Sequence, residues 1–165
     1  MRITCNHPLT RAGIVLGLGL GSFLDGIVLH QILGWHHMVC TTVTCQPTSI
    51  EHLKRQNTQD GFFHLAVWIL TTTGVCLLFR AGGQPSQNWS GRTLLGSMLV
   101  GWGTFNFAEG LIDHQILGLH HVLPGHPQQF LFDMLFLGSG VLLAALGWFL
   151  NPPLKVLGGG RTSLG

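Results

Sequence analysis

Apolar residues fall in four continuous blocks, at about 12–34, 61–80, 93–117 and 129–150, separated by shorter polar stretches. Continuous rather than alternating apolar character predicts helices, because a half-buried strand alternates. Each block has the roughly 20 residues that a helix needs to cross a bilayer. The first block is not read as a cleaved signal peptide: it is long, carries Asp25 and is copied later in the chain. The pattern predicts an all-α integral membrane protein, a four-helix bundle forming one membrane domain over residues 1–165.

The polar residues inside this pattern repeat. "DGIVLHQILGWHHM" runs from Asp25 to Met38, and "EGLIDHQILGLHHV" from Glu109 to Val122. Each half reads as a long helix, a loop and a second helix, and both halves begin on the same side. Two parallel two-helix repeats are therefore expected, about 11–80 and about 92–150, joined by the turn-rich "AGGQPSQNWSGR". The second helices correspond more weakly. "GFFHLAVW" against "QFLFDMLF" sets His64 opposite Asp133. The glycines in "GIVLGLGLGS" and "GSMLVGWG" suit close approach of helix backbones in a membrane.

Composition agrees. Only 8% of residues are charged and 46% are hydrophobic, against about 25% charged in a soluble domain. The net charge of +2 is too small to suggest nucleic acid. Arg2, Arg11, Arg80, Arg92, Lys155 and Arg161 gather on one side of the expected spans, and only Lys54 and Arg55 on the other. That bias predicts both termini in the cytoplasm, with the His-rich loops facing outward from a bacterial inner membrane.

The chain has 4 cysteines. Cys40 and Cys45 follow the first histidine pair, in a loop where an oxidising exterior permits a disulfide; metal binding is the rival reading. Cys5 is expected in the cytoplasm. Cys76, inside the second block, is expected to be a small buried apolar residue.

Candidate chemistry lies in the embedded polar groups. Asp25, Glu109, Asp113 and Asp133 sit in apolar blocks with no Lys or Arg beside them. An Asp at the centre of a membrane helix costs about 2.5–3.5 kcal/mol on insertion scales. Intramembrane ionisable residues mark a ligand site, proton relay or pathway by default. Histidines supply the partners: His30, His36, His37 and His64 in the first half, and His114, His120 and His121 in the second. His7, His52 and His126 look peripheral.

At about 100° per residue, His30 lines up with His37, and Asp25 with His36. The same spacing relates His114 to His121 and Glu109 to His120. This holds if the helices continue through Gly34 and Gly118; if those glycines end the helices, the histidine pairs fold back over the bundle. Either way the groups converge on one slab near the outer face.

Imidazole with carboxylate is a sensible donor set for a transition metal, copper first, with zinc or iron close behind. One site is expected from Asp25, His30, His36 or His37, and His64. Its twin is expected from Glu109, Asp113, His114, His120 or His121, and Asp133. The two could also share one dinuclear centre. Plain interhelical hydrogen bonds, worth about 0.6 kcal/mol each, would account for one such histidine more readily than for a duplicated set. Gln31 and Gln115 suit that packing role better than ligation. The tryptophans read as interface anchors or packing. Met38, in "HHM", is a weak copper(I) candidate, since its counterpart is Val122.

Haem held by facing histidines is the alternative cofactor, which would make this an electron-transfer protein. Metal storage, delivery or sensing is the expected role, and a membrane metallo-oxidoreductase or hydrolase, with an open metal position and a carboxylate as base, is the enzyme reading. A proton or ion pathway is a third class. The lipid bilayer is the expected partner, and a homo-oligomer is compatible with this reading.

The duplicated motif, carried by Asp25, His30, His36 and His37 and by Glu109, His114, His120 and His121, resembles a bacterial family of four-helix membrane proteins filed as a domain of unknown function. Members of that family look to be often encoded beside a membrane assembly factor of cytochrome oxidase. The resemblance implies copper handling or oxidase biogenesis, with cytochrome oxidase or its assembly factors as partners.

Overall fold

A computed structural model describes residues 7–40, 45–84 and 89–151. Arg2, Cys5, Lys155 and Arg161 lie outside the described residues. Four helices make up the fold, with no strand among the described residues. Helix α1 spans Pro8–Asp25 and runs on as a wider π-helical segment, Gly26–Ile32. Helix α2 spans Ile50–Gly82. Helix α3 spans Gly91–Glu109 and runs on as a second π segment, Gly110–Ile116. Helix α4 spans Gln129–Leu150.

The ends follow local chemistry. Pro8 opens α1, where a missing N–H costs nothing. The Ser49 and Ser90 side chains cap α2 and α3, accepting from His52 N and Thr93 N. Gly34 and Gly118 stop the two π segments with φ of 58° and 57°, the left-handed turn that glycine adopts without a Cβ clash. Trp35 N bonds Leu29 O and Leu119 N bonds Asp113 O, each at 2.9 Å. Both histidine pairs are therefore folded back, and neither helix continues through its glycine.

Three helical bodies are long and apolar enough to cross a membrane: Pro8–Ile32, Ile50–Gly82 and Gln129–Leu150. Helix α3, expected as a fourth span, is diluted by glycines and by Ser97, Thr104 and Asn106. Helix α2 starts well before its apolar block at 61, because the Ser49 cap begins it at Ile50. His64 is consequently deep in α2 rather than on its first turn.

Helices α1 and α3 lie side by side, with α2 against α1 and α4 against α3. Small residues allow the contacts. A Cβ on Gly17 would overlap the Met98 backbone, and one on Gly101 would overlap Ile14 and Leu18. Gly103 and Gly140 lean on each other in the same way across α3 and α4. The outward faces of α2 and α4 are apolar, with Phe62, Phe79, Leu142 and Phe149 all exposed. Asp25, Asp60, Asn106, Glu109, Asp133 and four histidines are inside instead. That inversion suits a hydrocarbon solvent. Cys76 departs from its expected burial and is exposed, because α2 packs chiefly on α1 and leaves its other face uncovered.

Candidate metal centre

The π segments set the geometry. In an α-helix, residues five apart point about 140° away from each other. A π turn closes its hydrogen bond over five residues, so positions i and i+5 come to one face. Asp25 and His30 bracket the first such turn, and His30 Nε2 lies 3.3 Å from Asp25 Oδ2. Glu109 and His114 bracket the second.

The folded-back loops add a third group to each pair. Asp25, His30 and His36 bring ligand atoms within 4.8 Å of one another, as do Glu109, His114 and His120. All six residues are buried. The two sets adjoin where His36 and His120 stack, ring centroids 4.7 Å apart and planes 13° from parallel. His30 meets His36 edge-on at 4.5 Å, and His114 meets His120 at 4.8 Å.

Each half has a supporting carboxylate from its second helix. Asp60, on α2, takes hydrogen bonds from His30 Nδ1 at 3.2 Å, Gln31 Nε2 at 3.2 Å, His37 Nδ1 at 2.7 Å and Met38 N at 2.9 Å. Asp133, on α4, takes them from Gln115 Nε2 at 3.4 Å, His121 Nδ1 at 2.7 Å and Val122 N at 2.9 Å. His114 Nδ1 stands 3.7 Å from Asp133 Oδ1. Phe63 stacks on His30 at 5.6 Å, and Phe136 lies 5.2 Å from His114.

The backbone fixes the ring tautomers. His36 Nδ1 lies 2.9 Å from Val122 O, and His120 Nδ1 lies 3.1 Å from Met38 O. A carbonyl only accepts, so both Nδ1 atoms carry the proton. A neutral ring then turns a bare Nε2 lone pair inward. Burial, with the neighbouring His120 and His30 rings, holds His36 well below the ordinary imidazole range, so it is neutral. Apart from the approaches of His30 Nε2 to Asp25 at 3.3 Å and of His120 Nε2 to Glu109 Oε1 at 3.5 Å, Nε2 of His30, His36, His114 and His120, His114 Nδ1, both Asp25 oxygens and Glu109 Oε2 make no hydrogen bond. Buried polar atoms are rarely left so. His30, His36 and His120 are held from behind by a carboxylate or a carbonyl, and His114 stands near Asp133 without a bond; with their Nε2 atoms turned inward, the four form a donor set that fits a metal ion.

The other residues expected at the site lie around it. His37 and His121 point to Asp60 and Asp133, not into the triads. Asp133 is itself a supporting acceptor. His64 donates from Nδ1 to Asp60 O at 2.8 Å and packs beside Phe23, one turn from the cluster. Asp113 is half-buried and belongs to neither ligand set. The alignment of His64 with Asp133 gives way to one of Asp60 with Asp133, which share a set of partners. "DGFF" and "DMLF" carry that signal, since both acid and phenylalanine recur. Met38 serves through its backbone, as Val122 does in the other half, which explains why their side chains differ. Gln31 and Gln115 do bridge helices. Cys40 and Cys45 are joined as a disulfide, Cα atoms 5.2 Å apart. Cys40 N bonds Leu119 O at 2.7 Å, tying this loop to the other half.

Residues 12–152 match the family model described as predicted membrane protein (DUF2243), and the chain belongs to that family. No curated protein and no solved structure matches.

Proposed function

We propose that this member of a membrane-protein family binds a pair of transition-metal ions, one held by Asp25, His30 and His36 and one by Glu109, His114 and His120. The reading rests on one observation above all. Two buried sets of three ligand atoms converge within 4.8 Å, with nitrogens and oxygens that lack any other partner. Imidazole with carboxylate suits zinc, iron(II) or copper(II), whereas copper(I) prefers sulfur. The expected copper preference is kept only for the divalent ion. A role in copper handling or oxidase biogenesis, with cytochrome oxidase assembly factors as partners, remains part of the proposal and rests on the resemblance alone.

The two halves are read as parallel repeats, related by an axis between α1 and α3. The reciprocal bonds of His36 and His120 support that relation. Helix α3 with its π continuation is taken as the fourth span, lying between α1 and α4. Arg11, Arg80 and Arg92 would then face the cytoplasm of a bacterial inner membrane, and the metal pair the outer side.

Three protein ligands per ion leave coordination positions open. That favours a centre acting on a further molecule, a membrane metallo-oxidoreductase, over closed storage. Haem is supported least, because the imidazoles touch one another and leave no slot between them for a macrocycle. A proton pathway would need titratable groups along the whole span, and these gather in one layer.

Elemental analysis of protein purified without a metal-affinity tag tests the reading. Two equivalents of transition metal per chain are expected, falling to one when His30 or His114 is changed to Ala. Metal-free protein from metal-replete cells would overturn it.

A further inference from the structure

A cavity of about 230 Å³ opens beside Asp25, between α1 and α3. Val28 and Leu29 form apolar wall, and Trp102 and Phe136 supply aromatic faces. Leu24, also in the wall, is exposed on the outer surface of α1, so the cavity meets the apolar exterior.

Its polar lining is unusual. Asp25 and Asn106 both line it, and both are more than nine-tenths buried. Asn106 donates from Nδ2 to Ser139 Oγ at 3.0 Å, while its Oδ1 has no partner. Asp25 makes no hydrogen bond through either oxygen, and only His30 Nε2, 3.3 Å from Oδ2, stands beside it. The buried polar atoms left without a hydrogen bond at this end of the cavity are all acceptors. Buried acceptors without donors are costly, and anionic headgroups would be repelled. A neutral molecule that brings a donor fits. A dry cavity of about 150 Å³ already holds benzene, so this one has room for a single ring with a short substituent.

We infer that this cavity binds a lipid-soluble, single-ring hydroxyl compound of the phenol class. Its hydroxyl donates to Asp25 or Asn106 and its ring lies against Trp102 and Phe136. The seat itself does not require the metal. Resting on the proposed metal centre, it places the bound molecule one residue from the first ion, since Asp25 Oδ2 is 3.3 Å from His30 Nε2.

Equilibrium dialysis of 4-ethylphenol against full-length protein in lipid nanodiscs tests this, with empty nanodiscs correcting for partition and metal measured on the same sample. One saturable site per chain is expected. The O-methylated analogue, 4-ethylanisole, should bind at least about tenfold more weakly. Asn106→Leu should weaken 4-ethylphenol by a similar factor. Val28→Trp, which fills the cavity from a wall position outside both ligand sets, should abolish binding and leave metal content unchanged. Metal-loaded protein with no saturable binding would overturn the proposal, as would equal binding of the two probes or undiminished binding to Val28→Trp. Metal-free protein that still binds 4-ethylphenol selectively would support the cavity and sink the metal reading alone.

Discussion

His36 and His120 stack ring on ring, 4.7 Å between centroids, and each gives its Nδ1 proton to a carbonyl in the other half of the chain. The carbonyls belong to Val122 and Met38, whose own N–H groups hold Asp133 and Asp60. Each triad is thus oriented partly by the opposite half. The two proposed metal positions are linked through backbone as well as adjacent.

That coupling separates His36 from its neighbour. His36→Ala should remove a ligand from the first site and the donor to Val122, lowering bound metal to one equivalent or less. Leaving the Val122 carbonyl unpaired should also cost about 1–3 kcal/mol of stability. His37→Ala keeps both triads and removes one of the four bonds to Asp60. Two equivalents should remain, with affinity for the first site lower by about tenfold at most. Metal analysis beside thermal unfolding in detergent distinguishes these outcomes, and equal loss in both variants would contradict the geometry.

Asp60 and Asp133 are expected to act through the histidines. Asp60→Asn retains one acceptor oxygen where four donors converge. Affinity at the first site should fall about 10–100-fold, read by competition with a chelator. Asp133→Asn should do the same at the second site. A Glu109→Gln change removes a proposed ligand outright and should empty that site.

The duplicated motif, the four helices, three of them long and apolar enough to span, and the convergence of acids and histidines are visible in the sequence, because apolar runs and residue spacings survive without coordinates. Which histidine of each pair points inward is not. A uniform 100° per residue joins Asp25 to His36 along one helix, whereas the π turn joins Asp25 to His30 and the Gly34 turn brings His36 back. Asp60 escapes a reading by apolar blocks because it precedes the second one. The helix in fact starts at Ile50, under a Ser49 cap. Asp113 reads as a ligand because it is acidic and embedded, but five-residue π spacing puts His114, not Asp113, on the face of Glu109.

The disulfide between Cys40 and Cys45 closes the short loop that follows His36 and His37. A Cys40→Ser, Cys45→Ser double variant should lose about 2 kcal/mol of stability. Both triads lie outside the closed loop, so metal content should stay at two equivalents. Thermal unfolding with and without reductant, alongside metal analysis, checks both parts. Loss of metal in the variant would instead favour the cysteines as ligands.

Topology has an independent readout. Arg92 Nε donates to Leu150 O at 2.9 Å, so the start of α3 and the end of α4 share one end of the fold. Arg11, at the start of α1, and Arg80, near the end of α2, are expected at that end too. A reporter fused after Gly165 should be active in the cytoplasm, and one inserted at Pro124 should be active outside. The reverse pattern would invert the membrane assignment and leave the metal geometry unchanged.

The glycines give the sharpest contrast in stability. A Cβ on Gly17 would run into the Met98 backbone and one on Gly101 into that of Ile14. Neither helix can yield without separating α1 from α3, which together carry the proposed ligands Asp25 and Glu109. Gly17→Val and Gly101→Val should each cost more than the roughly 1–3 kcal/mol of ordinary overpacking, and should lose metal along with fold. At Gly61, on α2, an added Cβ would meet nothing within 4 Å. Gly61→Ala should therefore be neutral or gain up to about 1 kcal/mol from helix propensity. Size-exclusion elution and thermal unfolding in one detergent compare the variants directly. A Gly17→Val protein as stable as Gly61→Ala would mean that α1 and α3 do not pack backbone to backbone.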